Sequence, residues 1–232
     1  MNASTVAIST TCWSCGAAIA GEHFCPSCGK IQRLSRETDY FTFLGLPQKL
    51  QIDTVDLERR FHTLSWKLHP DNFVGASELE RELSLERSSQ LNDAYRTLAD
   101  PISRVEYLLG REGMYKEGQQ KQQAPPELLE EVFELNESLD ELRSARQAGG
   151  DAEETARLTK SLESAERNFQ DKLAGVDAEL RKLFAAWDAA IDVQADGVSR
   201  RKLTEQMNAA LNRRSYIRNL VAGVERELAE NI

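Results

Sequence analysis

Residues 57–72 read Leu-Glu-Arg-Arg-Phe-His-Thr-Leu-Ser-Trp-Lys-Leu-His-Pro-Asp-Asn. Apolar residues recur in it at three- and four-residue spacing: Leu57, Phe61, Leu64 and Leu68. This spacing predicts an amphipathic helix, which Asp53 or Thr54 can cap at its beginning. The helix should end near Leu68, because the residue before a proline is pushed out of the α region.

Further helices are predicted on both sides of this stretch. Upstream of it lies a short apolar patch, residues 40–44, which ends at Gly45 and Pro47. Downstream, a second amphipathic helix runs from about Ser77 to Leu98 and ends at Asp100-Pro101. Its apolar side consists of Leu79, Leu83, Leu91, Ala94 and Leu98. A final short helical piece covers Ser103 to Leu109.

The N-terminal segment, residues 1–35, holds all four cysteines in two Cys-x-x-Cys pairs: Cys12, Cys15, Cys25 and Cys28. Two such pairs close together supply the four thiolates of a tetrahedral metal site. Zn²⁺ is the default metal, and Fe²⁺ is its rival at the same geometry. Four protein ligands leave no open position, so the site is expected to be structural. Two disulfides or a redox-active pair are the alternatives, which a reducing compartment and the lack of a βαβ pattern oppose.

The rest of the chain is predicted to be a linker followed by a helical bundle. Residues 114–126 are rich in Gln and Pro and poor in apolar residues, which is typical of a linker. Residues 127–232 contain three periodic apolar runs, separated near Gly149-Gly150 and near Asp196-Gly197. Three amphipathic helices with short connections predict a three-helix bundle. The predicted fold class is therefore mainly α, with a small tetracysteine zinc module, a helical hairpin and a C-terminal three-helix bundle.

Composition excludes several classes of function. The chain has 232 residues and a formal net charge of −9, which disfavours general nucleic-acid binding. No run of about 18 apolar residues is present, so no membrane span is predicted. Residues 1–11 contain no Lys or Arg, unlike a secretory or mitochondrial targeting segment. We therefore expect a cytoplasmic protein.

Three stretches together resemble the J-domain family, whose core is an antiparallel helix pair with His-Pro-Asp at its tip. They are Tyr-Phe-Thr-Phe-Leu-Gly-Leu at 40–46, His-Pro-Asp at 69–71, and Leu-Asn-Asp-Ala-Tyr-Arg-Thr-Leu at 91–98. The resemblance implies that residues 36–113 form a J-domain. It also implies docking on the ATPase domain of a DnaK-type chaperone, whose ATP hydrolysis the docking stimulates. The residues expected to dock are His69, Pro70, Asp71, Arg59, Arg60 and Lys67.

Elementary chemistry agrees with a docking role for this loop. A preorganised carboxylate such as that of Asp71 suits a bidentate bond with an arginine of a partner. A basic face on the preceding helix would meet an acidic partner surface and speed association. An ordinary helix–loop–helix corner is the alternative, and so is a general base at His69. No nucleophile or second acid is readable near His69, so we do not expect an enzyme.

Two further stretches resemble the HscB family, the dedicated co-chaperones of iron–sulfur cluster assembly. They are Pro-Ile-Ser-Arg-Val-Glu-Tyr-Leu-Leu at 101–109 and Glu-Leu-Asn-Glu-Ser-Leu-Asp-Glu at 134–141. The chain also lacks the Gly/Phe-rich segment and the cysteine-rich repeats of general DnaJ proteins. The tetracysteine pattern is similar to an N-terminal extension of some family members, chiefly eukaryotic ones.

The HscB resemblance implies that the C-terminal bundle binds the IscU scaffold. The implied scaffold-binding residues are Leu129 and Phe133, which share one helix face, together with Tyr216. Glu130 stands where the family usually has another apolar residue. Alternatively, Leu129 and Phe133 belong to the bundle core.

The implied function is that of a co-chaperone that binds IscU, stimulates a DnaK/HscA-type chaperone and promotes cluster transfer. Two alternatives remain. One is a general J-domain co-chaperone with another client, and the other is a cysteine-based metal or redox regulator.

Overall fold

The computed structural model describes residues 11–35, 38–114, 125–147, 149 and 151–229. Most of the linker predicted at residues 114–126 therefore lies outside the described residues, as does Gly150. The fold is mainly α, as the sequence predicts. The chain divides into two compact units, Met1–Tyr107 and Leu108–Ile232. Among the described residues, no helix is both long and apolar enough to cross a membrane.

The first unit is built on a helical hairpin. Its helices are α1 (Tyr40–Phe43), α2 (Thr54–Leu68) and α3 (Glu78–Ala99), and α4 (Pro101–Arg111) follows directly. A short 3₁₀ helix, Pro70–Phe73, connects α2 to α3.

The ends of these helices follow from local chemistry. The carboxylate of Asp53 caps α2 by accepting from the amides of Val55 and Asp56. Helix α3 begins with a capping box, in which Ser77 and Glu80 satisfy each other's backbone amides. Helix α4 begins at Pro101, two residues before the predicted start, because proline is tolerated in the first turn of a helix.

The core of the first unit lies between α2 and α3 and is closed by α1 and by Ile31. Its buried side chains are Ile31, Phe41, Phe43, Leu44, Leu57, Leu68, Phe73, Leu83, Leu91, Ala94 and Leu98. Stacked rings of Phe61 and Tyr95, with centroids 4.3 Å apart, join α2 to α3. The buried guanidinium of Arg104 donates to the carbonyls of Leu98 and Leu50. Arg104 therefore satisfies a carbonyl that the end of α3 leaves open.

The second unit is a bundle of three helices, as predicted: α5 (Leu129–Gln147), α6 (Ala152–Asp192) and α7 (Gly197–Ala229). A 3₁₀ turn, Pro126–Leu128, precedes α5. The turn and all three helices contribute buried side chains: Leu128, Val132, Leu135, Leu142, Leu158, Leu162, Phe169, Val176, Leu180, Phe184, Trp187, Met207, Leu211, Ile217, Val221 and Val224.

Two ion pairs connect α5 to α7. Glu127 meets Arg213 at 3.3 Å near the start of α5, and Arg143 meets Glu227 at 2.7 Å near its end. Because both partners advance along the chain together, α5 and α7 run parallel.

Candidate functional site

The two Cys-x-x-Cys pairs form two similar turns. In each, the amide of the glycine after the second cysteine donates to the carbonyl of the first, from Gly16 to Cys12 at 3.0 Å and from Gly29 to Cys25 at 2.9 Å. Both glycines have φ of +73°, a left-handed conformation that costs glycine little and other residues more. The turns therefore need glycine at these positions in order to bring each pair of thiols together.

The four sulfurs converge on one point. The Sγ atoms of Cys12 and Cys28 lie 3.6 Å apart, those of Cys15 and Cys25 lie 3.7 Å apart, and all four fall within 4.8 Å of one another. A tetrahedral site with metal–sulfur bonds of about 2.3 Å has sulfur–sulfur edges of roughly 3.8 Å. None of the four cysteines forms a disulfide. The predicted cluster is thus confirmed, and its dimensions fit a metal ion held by four thiolates.

Crowding of the thiols drives the pKa values of Cys12 and Cys15 apart. Desolvation raises the pKa of Cys12, but hydrogen bonds from the amides of Cys15 and Ser14 and from neighbouring thiols outweigh it and lower the pKa to about 6. The amide of Ala17 lowers the pKa of Cys15, yet hydrogen bonding to Cys28 and the other sulfurs raises it to about 12. A metal cation would remove this competition, because it binds the thiolate form of every ligand.

The tetracysteine module, residues 11–32, packs directly on the hairpin. Nε2 of His23 lies 2.8 Å from the carbonyl of Phe43, and the two rings meet edge to face. Burial lowers the pKa of His23, so the ring is neutral and its Nε2–H donates to the carbonyl. Ile31 is fully buried in the hairpin core, and the indole of Trp13 donates to its carbonyl at 2.6 Å.

An ion pair also joins the module to the start of α3. Nζ of Lys30 lies 2.9 Å from the carboxylate of Glu80, which is buried and also accepts from the Ser77 hydroxyl at 2.8 Å. These hydrogen bonds favour the charged carboxylate, and the one from Lys30 contributes most to lowering the pKa of Glu80. Glu80 therefore forms an ion pair with the module and also completes the capping box of α3.

The His-Pro-Asp sequence lies at the tip of the hairpin, between α2 and α3. The ring nitrogen Nδ1 of His69 accepts from the amide of Asp71 at 3.3 Å, so His69 caps the 3₁₀ turn that follows. The side chain of Asp71 is 86% exposed and that of His69 is 55% exposed. Both groups are thus held in a defined turn and remain accessible to a partner.

Three polar residues outside the predicted set hold this tip in place. The side-chain amide of Asn72 donates to the carbonyl of Trp66 at 2.6 Å. The hydroxyls of Ser84 and Ser88 on α3 both donate to the carbonyl of Leu68, at 2.6 and 3.0 Å. Together they satisfy carbonyls at the end of α2 that have no partner within the helix. The sequence gives no periodic signal for them, since the two serines lie 16 and 20 residues from Leu68.

The three basic residues predicted to dock do not share one environment. Arg60 donates to the carbonyls of Leu44 and Gly45, at 3.2 and 2.8 Å, and so braces the turn after α1. Asp56 pairs with both Arg60 and Arg59, and the hydrogen bond from Arg60 contributes most to lowering the pKa of Asp56. Arg59 and Lys67 are exposed on α2.

The residues predicted to bind the scaffold lie on the surface of the bundle. Leu129 is 54% exposed and Phe133 is 71% exposed, while the neighbouring Leu128 and Val132 fill the core. The core alternative for Leu129 and Phe133 is therefore not what the structure shows. Tyr216 is half-buried on α7, one turn beyond Arg213. The ion pair of Arg213 with Glu127 places this part of α7 beside the beginning of α5.

The described residues thus form a helical hairpin with an exposed His-Pro-Asp tip and a three-helix bundle. No family model matches the chain. Curated relatives do match. The chain is 36% identical over 154 residues to a co-chaperone protein HscB homolog of Vibrio vulnificus (strain YJ016), and this alignment covers 66% of this chain and 85% of the relative. The homolog of Vibrio parahaemolyticus serotype O3:K6 is 34% identical over the same shares.

The chain therefore belongs to the HscB co-chaperone family. Its fold also resembles the crystal structure of human co-chaperone protein HscB, with a TM-score of 0.60 and 24% identity over 94% of this chain and 98% of the human chain. The family resemblance predicted from the sequence is confirmed by these relatives.

Proposed function

We propose that this protein binds an iron–sulfur scaffold of the IscU type and stimulates the ATPase of a DnaK/HscA-type chaperone, so that the cluster passes to recipient proteins. The observation that carries the proposal is the exposed, preorganised His-Pro-Asp tip. The membership of the HscB co-chaperone family supports it.

In the proposed chaperone contact, Asp71 accepts a bidentate pair of hydrogen bonds from an arginine of the ATPase domain. Its carboxylate is exposed, and the turn that presents it is fixed by His69 and Asn72. Lys67 supplies positive charge near the tip and Arg59 supplies it farther back along α2, which speeds the approach of an acidic surface. Arg60 acts indirectly in this proposal, because its guanidinium supports the turn at residues 44–45.

In the proposed scaffold contact, Leu129 and Phe133 bury their exposed apolar surface against IscU, with Tyr216 on the neighbouring helix. Exposed apolar side chains that share one helix face form a patch that a partner protein can bury. Glu130, in place of an apolar residue, reduces the apolar area and adds negative charge. Glu134 extends this acidic border, so the contacting part of the scaffold should be apolar with a basic rim.

We further propose that the tetracysteine site holds Zn²⁺ in a structural role. The thiol chemistry and the sulfur spacing suit this ion, and four protein ligands leave no position for a substrate. The site involves no reaction step: its residues shape the module that packs on the hairpin. Four cysteines that bind a metal must stay reduced, and we propose a cytoplasmic location on that ground.

Both contacts on one chain would raise the effective concentration of the scaffold near the chaperone. The test is steady-state ATP hydrolysis by an HscA-type chaperone with the zinc-loaded protein, with and without apo-IscU. We expect stimulation that rises further with IscU and disappears in Asp71→Asn. ATPase stimulation of equal size with and without IscU would exclude IscU as the client. A lack of any stimulation would refute the proposal as a whole.

A matched pair of variants tests the scaffold contact separately. Phe133→Ala should weaken IscU binding by at least about tenfold, because Phe133 is the larger and more exposed of the two apolar side chains. Val198→Ala is the control, since Val198 is similarly exposed on α7 but lies outside the proposed contact. Equal affinities for both variants would contradict the assignment of this surface.

A further inference from the structure

Trp66 on α2 has an exposed side chain that has no role in the proposed function described above. It is 78% exposed, whereas Trp187 in the bundle is fully buried. A large aromatic side chain gains much from leaving water, so a partner that covers this tryptophan would gain binding free energy. Tryptophan is also among the residue types that most often dominate binding energy at protein interfaces.

The position of Trp66 connects it to the His-Pro-Asp tip. It precedes His69 by three residues, so the two side chains leave the end of α2 on the same side. Its backbone carbonyl accepts the hydrogen bond from Asn72, the residue after Asp71. The backbone that carries the indole is therefore fixed by the same turn that presents the tip.

The surroundings of Trp66 indicate the charge of the partner. Arg59 and His62 lie seven and four residues before it, on the same side of α2, and both are exposed. Opposing charge is present on this helix as well, because Asp56 pairs with Arg59 and Glu58 lies 3.6 Å from the ring of His62. Lys67, the next residue along the chain, is exposed and forms no ion pair among the described residues, so it adds positive charge near the tip.

We propose that Trp66 is an affinity anchor for the ATPase chaperone, inserting into an apolar pocket with an acidic border beside the site that receives Asp71. The proposal rests on the proposed function and adds a residue to the chaperone contact. The chaperone is the proposed occupant, because this surface is continuous with the tip. The proposed scaffold contact lies in the other unit of the chain.

The proposed roles of Trp66 in affinity and of Asp71 in stimulation affect different measurable quantities. Trp66→Ala should raise the Kd for the chaperone about 30-fold, which is the effect expected for a dominant interface residue. At saturating co-chaperone, maximal ATPase stimulation should return nearly to the wild-type value. Asp71→Asn should instead lose stimulation at every concentration.

The experiment measures chaperone binding by titration calorimetry and ATPase stimulation over a wide concentration range, using the full chain loaded with zinc. Val74→Ala is the matched control, because Val74 is 72% exposed and follows the same turn. The ratio of Kd values between Trp66→Ala and wild type should also stay constant as salt rises. Charge contacts are screened by salt, whereas an apolar contact is not.

The affinity of Trp66→Ala for the chaperone separates the anchor proposal from the proposed function. If Trp66→Ala binds within about twofold of wild type while Asp71→Asn loses stimulation, the anchor is refuted and the proposed function stands. If Trp66→Ala instead weakens IscU binding or abolishes self-association of the chain, the anchor is also refuted. If the wild-type protein neither binds nor stimulates the chaperone, both proposals fail together.

Discussion

Replacing Ile31 by alanine should destabilise the hairpin although Ile31 belongs to the cysteine-bearing segment. Ile31 is fully buried among hairpin side chains. The substitution removes three carbons, which costs about 2.4 kcal/mol in lost transfer free energy at roughly 0.8 kcal/mol for each. A residual cavity adds to this cost, so we expect about 3–4 kcal/mol, within the range of roughly 2–5 kcal/mol for such substitutions.

Hydrogen exchange of backbone amides is the suitable assay, because it reports each helix separately. Protection of the most stable amides in α3 should fall by roughly two to three powers of ten, since each 1.4 kcal/mol or so is a factor of ten. Amides of α6 and α7 should change little, because those helices belong to a different compact unit.

Val55→Ala provides the control for this measurement, because Val55 is highly exposed on α2 and its loss should change the stability by less than about 0.5 kcal/mol. A loss below about 1 kcal/mol in Ile31→Ala would refute the reasoning. It would mean that the module rests on the hairpin without contributing to its core.

Three further predictions concern the metal, the ion pair and the tip. Removing zinc with a chelator should unfold the tetracysteine module and lower the thermal midpoint of the hairpin. Far-ultraviolet circular dichroism should retain most of its helical signal. Complete loss of that signal would contradict the prediction that only the module unfolds. The pKa of Glu80 is lowered in the folded protein, so its contribution to stability is present above its ordinary pKa and is lost as pH falls through the folded value. Urea midpoints between about pH 5 and 3 should therefore fall less steeply in Lys30→Met than in wild type, and parallel curves would show that the ion pair is not responsible. Ser84→Ala should cost about 1 kcal/mol in urea unfolding, because the carbonyl of Leu68 keeps only the hydroxyl of Ser88, and an unchanged midpoint would show that one hydroxyl suffices.

Local signals in the sequence predicted the parts of the fold that depend on neighbouring residues. The end of α2 at Leu68 follows from Pro70, and the cap at Asp53 follows from its carboxylate. The convergence of the four sulfurs follows from the Cys-x-x-Cys spacing, which fixes two ligands in each turn. The apolar spacing of residues 127–232 likewise predicted three helices, and the structure confirms them.

Contacts between distant residues could not be predicted in this way. Helical periodicity does not tell whether Arg59 or Arg60 points toward the turn after α1, because the answer depends on how α1 packs. The ion pair of Lys30 with Glu80 spans 50 residues, and no periodicity connects its partners. The excess of apolar residues at the start of α5 left two interpretations open, and only the packing of Leu128 and Val132 separates Leu129 and Phe133 from the core.

The length of α6 has a consequence for how this family can vary. At about 1.5 Å per residue, its 41 residues extend over roughly 60 Å, about twice the length of α5. The ion pair of Glu131 with Lys172 places the beginning of α5 about twenty residues, or roughly 30 Å, from the turn at Val193. Insertions between Lys172 and Val193 would shift the surface of α5 along the bundle and rotate it by about 100° per residue. Evolution should therefore keep the length of this section fixed and accept insertions at the turn around Gly149 instead.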